Sequence, residues 1–235
     1  MTISTEFWNK FNTTEKGLIL INFRINNELE ESKWNTILGR YRHLKPSQVY
    51  STLFNEIFDD KYFDLIIVFE NLKSLKRIYL DHSKIDNFEF LKQLIYVEKI
   101  SAVNTKILTL NGLENLKYLH YLNISFTQIK NINILSKNII LKRLIFRNCE
   151  IKDISVVREL NQLYELSFSN TQVDDLNHLQ NHPTLSVIYA ENILLNNLHS
   201  LLSFKWKYLN ITDYKNSTEE INAFARLKKG GYLEV

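Results

Sequence analysis

Apolar residues recur along this chain with two spacings that alternate. Ile78, Ile100, Leu122, Leu144, Leu166 and Ile188 stand 22 residues apart. From each of them, other apolar residues follow two, seven and ten positions later, as in Leu144, Phe146, Ile151 and Ile154. Apolar residues then come every third position, as in Leu113, Leu116 and Leu119, until the next unit begins. Side chains two apart lie on one face of a strand, whereas a spacing of three suits a 3₁₀ turn or an extended segment. Each unit is therefore predicted to be a short strand, a bend and a 3₁₀ or extended return. No single unit can bury its own apolar edge, so the units must stack into a curved solenoid.

The segments IYLDHSKIDNF, ISAVNTKILTL, LNISFTQIKNI, LIFRNCEIKDI and LSFSNTQVDDL share this template. Ser83, Thr105, Thr127, Cys149 and Thr171 fill its position five residues after the first apolar one. The set resembles a leucine-rich repeat of the 22-residue class, the kind found in internalins and in the leucine-rich regulatory subunit of protein phosphatase 1. The resemblance implies an α/β solenoid, a curved leucine-rich repeat array with a parallel concave sheet and a 3₁₀ or extended convex side. It runs from about 63 to 214, with Phe63, Ile66, Phe69, Leu72 and Leu75 supplying the back half of an early unit. Leu209 and Ile211 begin a last unit one residue early. Asn138 and His182 replace the leucines of one column (Leu94, Leu116, Leu160), so local irregularity is expected at both.

The flanks are expected to be caps. Residues 1–62 form a mainly helical N-terminal region, with a strand at 17–25 and helical spacing in Leu29, Trp34, Ile37, Leu38, Tyr41 and Leu44. Residues 215–235 form a short helical C-terminal cap, opened by the capping-box pair Ser217 and Glu220 and ended by Gly230 and Gly231. The final YLEV is placed to close the sheet. The N-terminal region exceeds a minimal cap and has room for a contact surface of its own.

Composition narrows the function classes. A 45% hydrophobic, 23% charged chain with net charge +3 is that of an ordinary globular protein rather than a strongly basic nucleic-acid binder. The longest apolar runs, such as LIIVF at 65–69, are too short to span a bilayer. One cysteine cannot make an internal disulfide, and the Met1 start lacks the pattern of a secretory signal. The chain is expected to be entire, cytoplasmic and monomeric alone. Its enrichment in Ile, Asn, Lys, Phe and Tyr fits an AT-rich bacterial genome.

Cys149, with Arg143 and Arg147 upstream, is the first candidate for chemistry, since neighbouring cations activate a thiolate. In the repeat register it falls in the fifth column, which the resemblance implies points inward and bonds the backbone. Arg143 and Arg147 lie at odd offsets and face the other way, and no base accompanies the thiol. His178 and His182 stand four apart, but no third ligand completes a metal site. No phosphate loop, paired-carboxylate signature or HExxH is present. Neither catalysis nor a metal or cofactor is expected.

What remains is the set of strand side chains that escape the core. Arg77, Tyr79, Asp81, Lys99, Tyr121, Phe126, Arg143, Arg147, Tyr189 and Glu191 are assigned to the concave face and its rim. Tyrosine and arginine combine contact area with a polar handle and are enriched at protein interfaces. The arginines and Lys99 are expected to form a basic half, with Glu165 and Glu191 an acidic half. This face reads as a surface for another protein, with no membrane role. The resemblance also admits an immunity protein masking a toxin, or a phosphatase regulator. Binding to nucleic acid is the less favoured class, because acids interrupt the basic track.

Overall fold

The computed structural model describes residues 75–83, 85–194, 207–211 and, as backbone, 232–234. The expected N-terminal cap, the partial unit before Leu75 and the helix opening at Ser217 lie outside the described residues. Eight strands form one sheet in chain order: β1 (Arg77–Tyr79), β2 (Lys99–Ser101), β3 (Tyr121–Asn123), β4 (Arg143–Ile145), β5 (Glu165–Ser167), β6 (Val187–Tyr189), β7 (Tyr208–Asn210) and β8 (Tyr232–Glu234). All neighbours are parallel, and Ile78, Ile100, Leu122, Leu144, Leu166, Ile188 and Leu209 are in register across the sheet. β8 is the segment YLE near the C-terminus, paired with β7 as expected. The array is a leucine-rich-repeat solenoid, with one apolar core running along it.

The interior is built as the periodicity requires. The central residue of each strand from β1 to β7 is at most 1% exposed. So are the residues two positions on, from Leu80 through Phe146 and Phe168 to Ile211. Phe146 and Phe168 stack with centroids 6.1 Å apart.

Among the described residues the convex side carries four 3₁₀ helices: η1 (Glu89–Gln93), η2 (Asn133–Lys137), η3 (Ser155–Glu159) and η4 (Asn177–Leu179). One polar column explains where they form. The side-chain oxygens of Asn87, Asn131, Asp153 and Asp175 each accept the backbone N–H two residues later, at 2.8–2.9 Å, which nucleates the turn. In the remaining described unit the column holds Thr109, and no 3₁₀ helix follows. The chain instead passes through Gly112 at φ 108°.

The irregularity expected at Asn138 and His182 is found at only one of them. Asn138 ends η2 with φ −100° and ψ 53°, close to the −86° and 60° of Leu160 after η3. It fits because its Nδ2 donates to the carbonyls of Leu113 and Leu116, at 3.0 and 3.1 Å, which engages the amide nitrogen inside the core, while Oδ1 is buried without a hydrogen-bond partner. At His182 the departure is real: η4 ends at Leu179 and Asn181 takes φ 57°.

Candidate functional site

The bend after each strand sets the geometry of the exposed face. His82, Asn104, Phe126, Asn148, Asn170 and Asn192 all have φ between 50° and 60°. The first five donate their N–H to a carbonyl of the next unit, as Phe126 does to Arg147 at 2.8 Å. The ladder thus continues while the chain turns off the sheet. The hydroxyls of Thr105, Thr127 and Thr171 close the bend on the carbonyl three residues back, at 2.7–3.0 Å.

Cys149 belongs to this column. It is 4% exposed, and its Sγ lies 3.2 Å from the Ile124 carbonyl, which Thr127 also uses. Burial pushes the thiol above its ordinary pKa, so it stays protonated near neutrality. Nothing about this sulfur resembles an activated nucleophile. His182 is equally unavailable as a ligand, because both ring nitrogens engage the backbone. Among the described residues no cluster of three or more His, Cys, Asp or Glu has metal-binding geometry.

Side chains on the outer side of the sheet meet across units rather than standing alone. Tyr121, Arg143 and Glu165 are consecutive rungs of one column, on β3, β4 and β5. The guanidinium of Arg143 lies 5.3 Å from the Tyr121 ring centroid and is held by Glu165 through two bonds, Nε to Oε2 at 2.7 Å and Nη2 to Oε1 at 2.9 Å. A bidentate pair of this kind contributes about 1 kcal/mol when half exposed.

Arg147 reaches across Ser169 toward β6. Its Nε donates to Ser167 Oγ at 2.7 Å, its guanidinium covers the Tyr189 ring at 5.2 Å, and Nη2 is 3.8 Å from Glu191 Oε1. Tyr189 packs on Tyr208 at 5.1 Å, and Asn210 donates to Glu191 at 2.8 Å. The middle of the face is thus an aromatic–guanidinium–carboxylate weave over buried serines.

This pairing corrects the expectation of separate basic and acidic halves. Arg143 and Arg147 are matched locally by Glu165 and Glu191. For Arg143 and Glu165 the signal was present in the sequence, since opposite charges 22 residues apart in one column are direct cross-strand neighbours, whereas Arg147 and Glu191 stand 44 apart, two rungs along their column.

The other assigned residues occupy different positions. Arg77 and Tyr79 are exposed on β1, and Lys99 is half-buried on β2. Asp81 holds the backbone of the next unit, with its Oδ1 accepting from Ser101 Oγ at 2.7 Å and from the Val103 N–H at 2.8 Å. Ser125 and Ser169 act in the same way, accepting the N–H of Arg147 and Glu191, each at 3.1 Å. The periodicity did not reveal this alternation of acceptor and donor units. Outside the face, Ile95, Tyr96, Tyr118 and Ile139 form exposed apolar positions where the chain enters the strands.

Phe126 stands apart. It is 55% exposed at the rim, in a left-handed conformation that disfavours a bulky side chain. Among the described residues its column is otherwise asparagine or histidine, and Asn170 and Asn192 bond to each other along it. Phe126→Asn is therefore expected to raise the unfolding free energy by roughly 1 kcal/mol. Urea denaturation checks this as a higher midpoint at unchanged slope. An unchanged or lower midpoint means that the phenyl ring gains more from its surroundings than the backbone loses.

No protein-family model matches the chain, and no curated protein sequence does either. Solved structures do resemble it. An internalin (inlF) of Listeria monocytogenes superposes with a TM-score of 0.58 at 19% identity, covering 72% of this chain and 56% of that one. Internalin C2 of the same organism gives 0.54 at 19%, covering 70% and 82%. A leucine-rich repeat protein of Leptospira interrogans gives 0.59 at 16%, covering 72% and 50%. This chain thus spans about half the length of two of these neighbours. At such identities the likeness concerns architecture, and the fold is that of the bacterial leucine-rich repeat solenoids.

Proposed function

We propose that the chain is a non-catalytic protein-binding module that holds a protein partner on its concave strand face. The observation that carries this reading is the woven centre formed by Tyr121, Arg143, Arg147, Tyr189 and Glu191. There, arginines are fixed by carboxylates and aromatic rings on a continuous sheet. Pre-ordered Tyr and Arg side chains lose little conformational freedom on binding, which is what an interface anchor needs. Arg77, Tyr79, Asp81 and Lys99 extend this surface toward the N-terminal end, and Phe126 offers an apolar contact at the rim. The two central arginines already have acid partners, so a polyanion would compete with Glu165 and Glu191 for them. This favours a protein over nucleic acid. The protonated, buried thiol of Cys149 supports a role without covalent chemistry. No helix among the described residues is long and apolar enough to cross a membrane. A cytoplasmic setting, with the chain monomeric alone, is part of the proposal.

Paired capture tests the assignment. The native chain and an Arg143→Glu, Arg147→Glu variant serve as baits in extract of the source cell, with bound proteins identified by mass spectrometry. A protein retained by the native chain is expected to fall at least tenfold on the variant, while far-UV circular dichroism stays the same. Equal capture by both baits moves the contact surface away from the concave face.

A further inference from the structure

His182 closes the turn that leads into β6, and it uses both ring nitrogens to do so. Nε2 lies 3.2 Å from the Val157 carbonyl, while Nδ1 accepts the N–H of Leu185 at 3.1 Å and of Thr184 at 3.4 Å. This pattern requires a neutral ring with its proton on Nε2. In the other units the N–H equivalent to that of Leu185 belongs to Val97, Leu119, Leu141 or Leu163. It bonds instead to the backbone carbonyl of Leu94, Leu116, Asn138 or Leu160, which does not titrate. Among these described turns, only the one before β6 is closed by a titratable group.

His182 is 7% exposed. The ionisable residues on and beside the two flanking 3₁₀ segments are Asp153, Arg158 and Glu159 around η3, and Asp174, Asp175 and His178 around η4. Arg158 bonds the Asn177 carbonyl and Asp175 the Asn177 N–H, and Glu159 is exposed. None of them is a cause of the ring's shift. Burial lowers its proton affinity, and the carbonyls of Val157 and Leu160 offset this only in part.

We propose that His182 is an acid-operated latch: a proton on Nδ1 turns an acceptor into a donor, expels the N–H groups of Thr184 and Leu185, and frees the turn into β6. β6 carries Tyr189 and is followed by Glu191, the two residues that pack against Arg147, so the opening reaches the outer face of the sheet. The sign follows from linkage. The ring binds a proton more weakly in the closed turn than in the open one. Closure is therefore fully stable above the ordinary histidine range and weakens as pH falls below about 6.5.

Amide hydrogen exchange on the full chain, expressed as protection factors from pH 7.5 to pH 5.0, tests the latch. Leu185 is expected to lose protection by up to about thirtyfold, the limit for one proton taken up by the open state alone. Leu141 and Leu163 should keep theirs. In His182→Gln, whose amide oxygen accepts without titrating, the loss at Leu185 should vanish. The latch is wrong if Leu185 is as insensitive to pH as Leu163, or if the loss persists in His182→Gln. Should that variant fail to fold, ring ¹⁵N shifts of the native chain decide. The Nε2–H tautomer is expected at pH 7.5, and protonation should coincide with loss of protection at Leu185. A ring that protonates while Leu185 stays protected overturns the proposal. The chain is measured alone, so the result does not depend on a binding partner.

Discussion

Phe146→Ala is expected to lower the unfolding free energy by about 3–5 kcal/mol, the largest effect of any single substitution considered. The column that Phe146 shares runs Leu80, Ala102, Ile124, Phe146, Phe168, Ala190, Ile211, so two adjacent aromatic rings stand where the other described units place an aliphatic side chain. The ring is fully buried and stacks on Phe168 at an interplanar angle of 24°. Units in a stack are stabilised by their neighbours, so a void in this unit weakens the interfaces on both sides. Exchange protection should fall first in β4 and β5, which carry the arginines' column. Urea unfolding measures the loss. A cost under about 1.5 kcal/mol means that the neighbouring units collapse into the space, as only a loosely packed core allows. Phe146→Leu should cost less than alanine, since it leaves a smaller void.

Gly112→Ala is expected to cost about 3 kcal/mol, from two sources that add. At φ 108° an L-residue is strained by about 1–3 kcal/mol. A Cβ there would also lie 2.2 Å from the carbonyl oxygen of Phe88 and 2.5 Å from its carbon, where backbone cannot move aside cheaply. Thermal unfolding with a circular dichroism readout measures the loss. The outcome that contradicts it is a near-neutral variant. That would show this unit switching to the 3₁₀ form of its neighbours, in which Ile134 and Val156 occupy the same column. Where the expected loss is found, Thr109→Asn in the Gly112→Ala background is the natural rescue, since it restores the side-chain acceptor that starts the other described turns.

The legibility of this molecule follows from how its constraints are distributed. A 22-residue register is repeated often enough that each buried column votes several times, and the strand centres and the return segment follow from it, whereas the interior thiol followed from the family resemblance that the register revealed. The arginine–glutamate pairing was legible in principle, as opposite charges in one column. It is easily missed because position along the chain suggests separation, whereas the stack makes neighbours of residues 22 apart. Asn138 shows the reverse case: a polar residue in a leucine column looks like a disruption until its amide is seen to bond the carbonyls of the preceding unit.

Residue order alone specifies the architecture, the identity of the core and the set of residues left facing outward. The reason is that apolar periodicity is a property of single residues repeated in register. What the outward residues do to one another comes from the folded chain: Arg143 clamped by Glu165, Arg147 laid over Tyr189, Phe126 strained at the rim, Gly112 pressed on Phe88, and His182 holding its turn with both nitrogens. These depend on distances and directions across units. A pattern of residue types specifies which groups share a neighbourhood, and only the folded backbone fixes which of them meet.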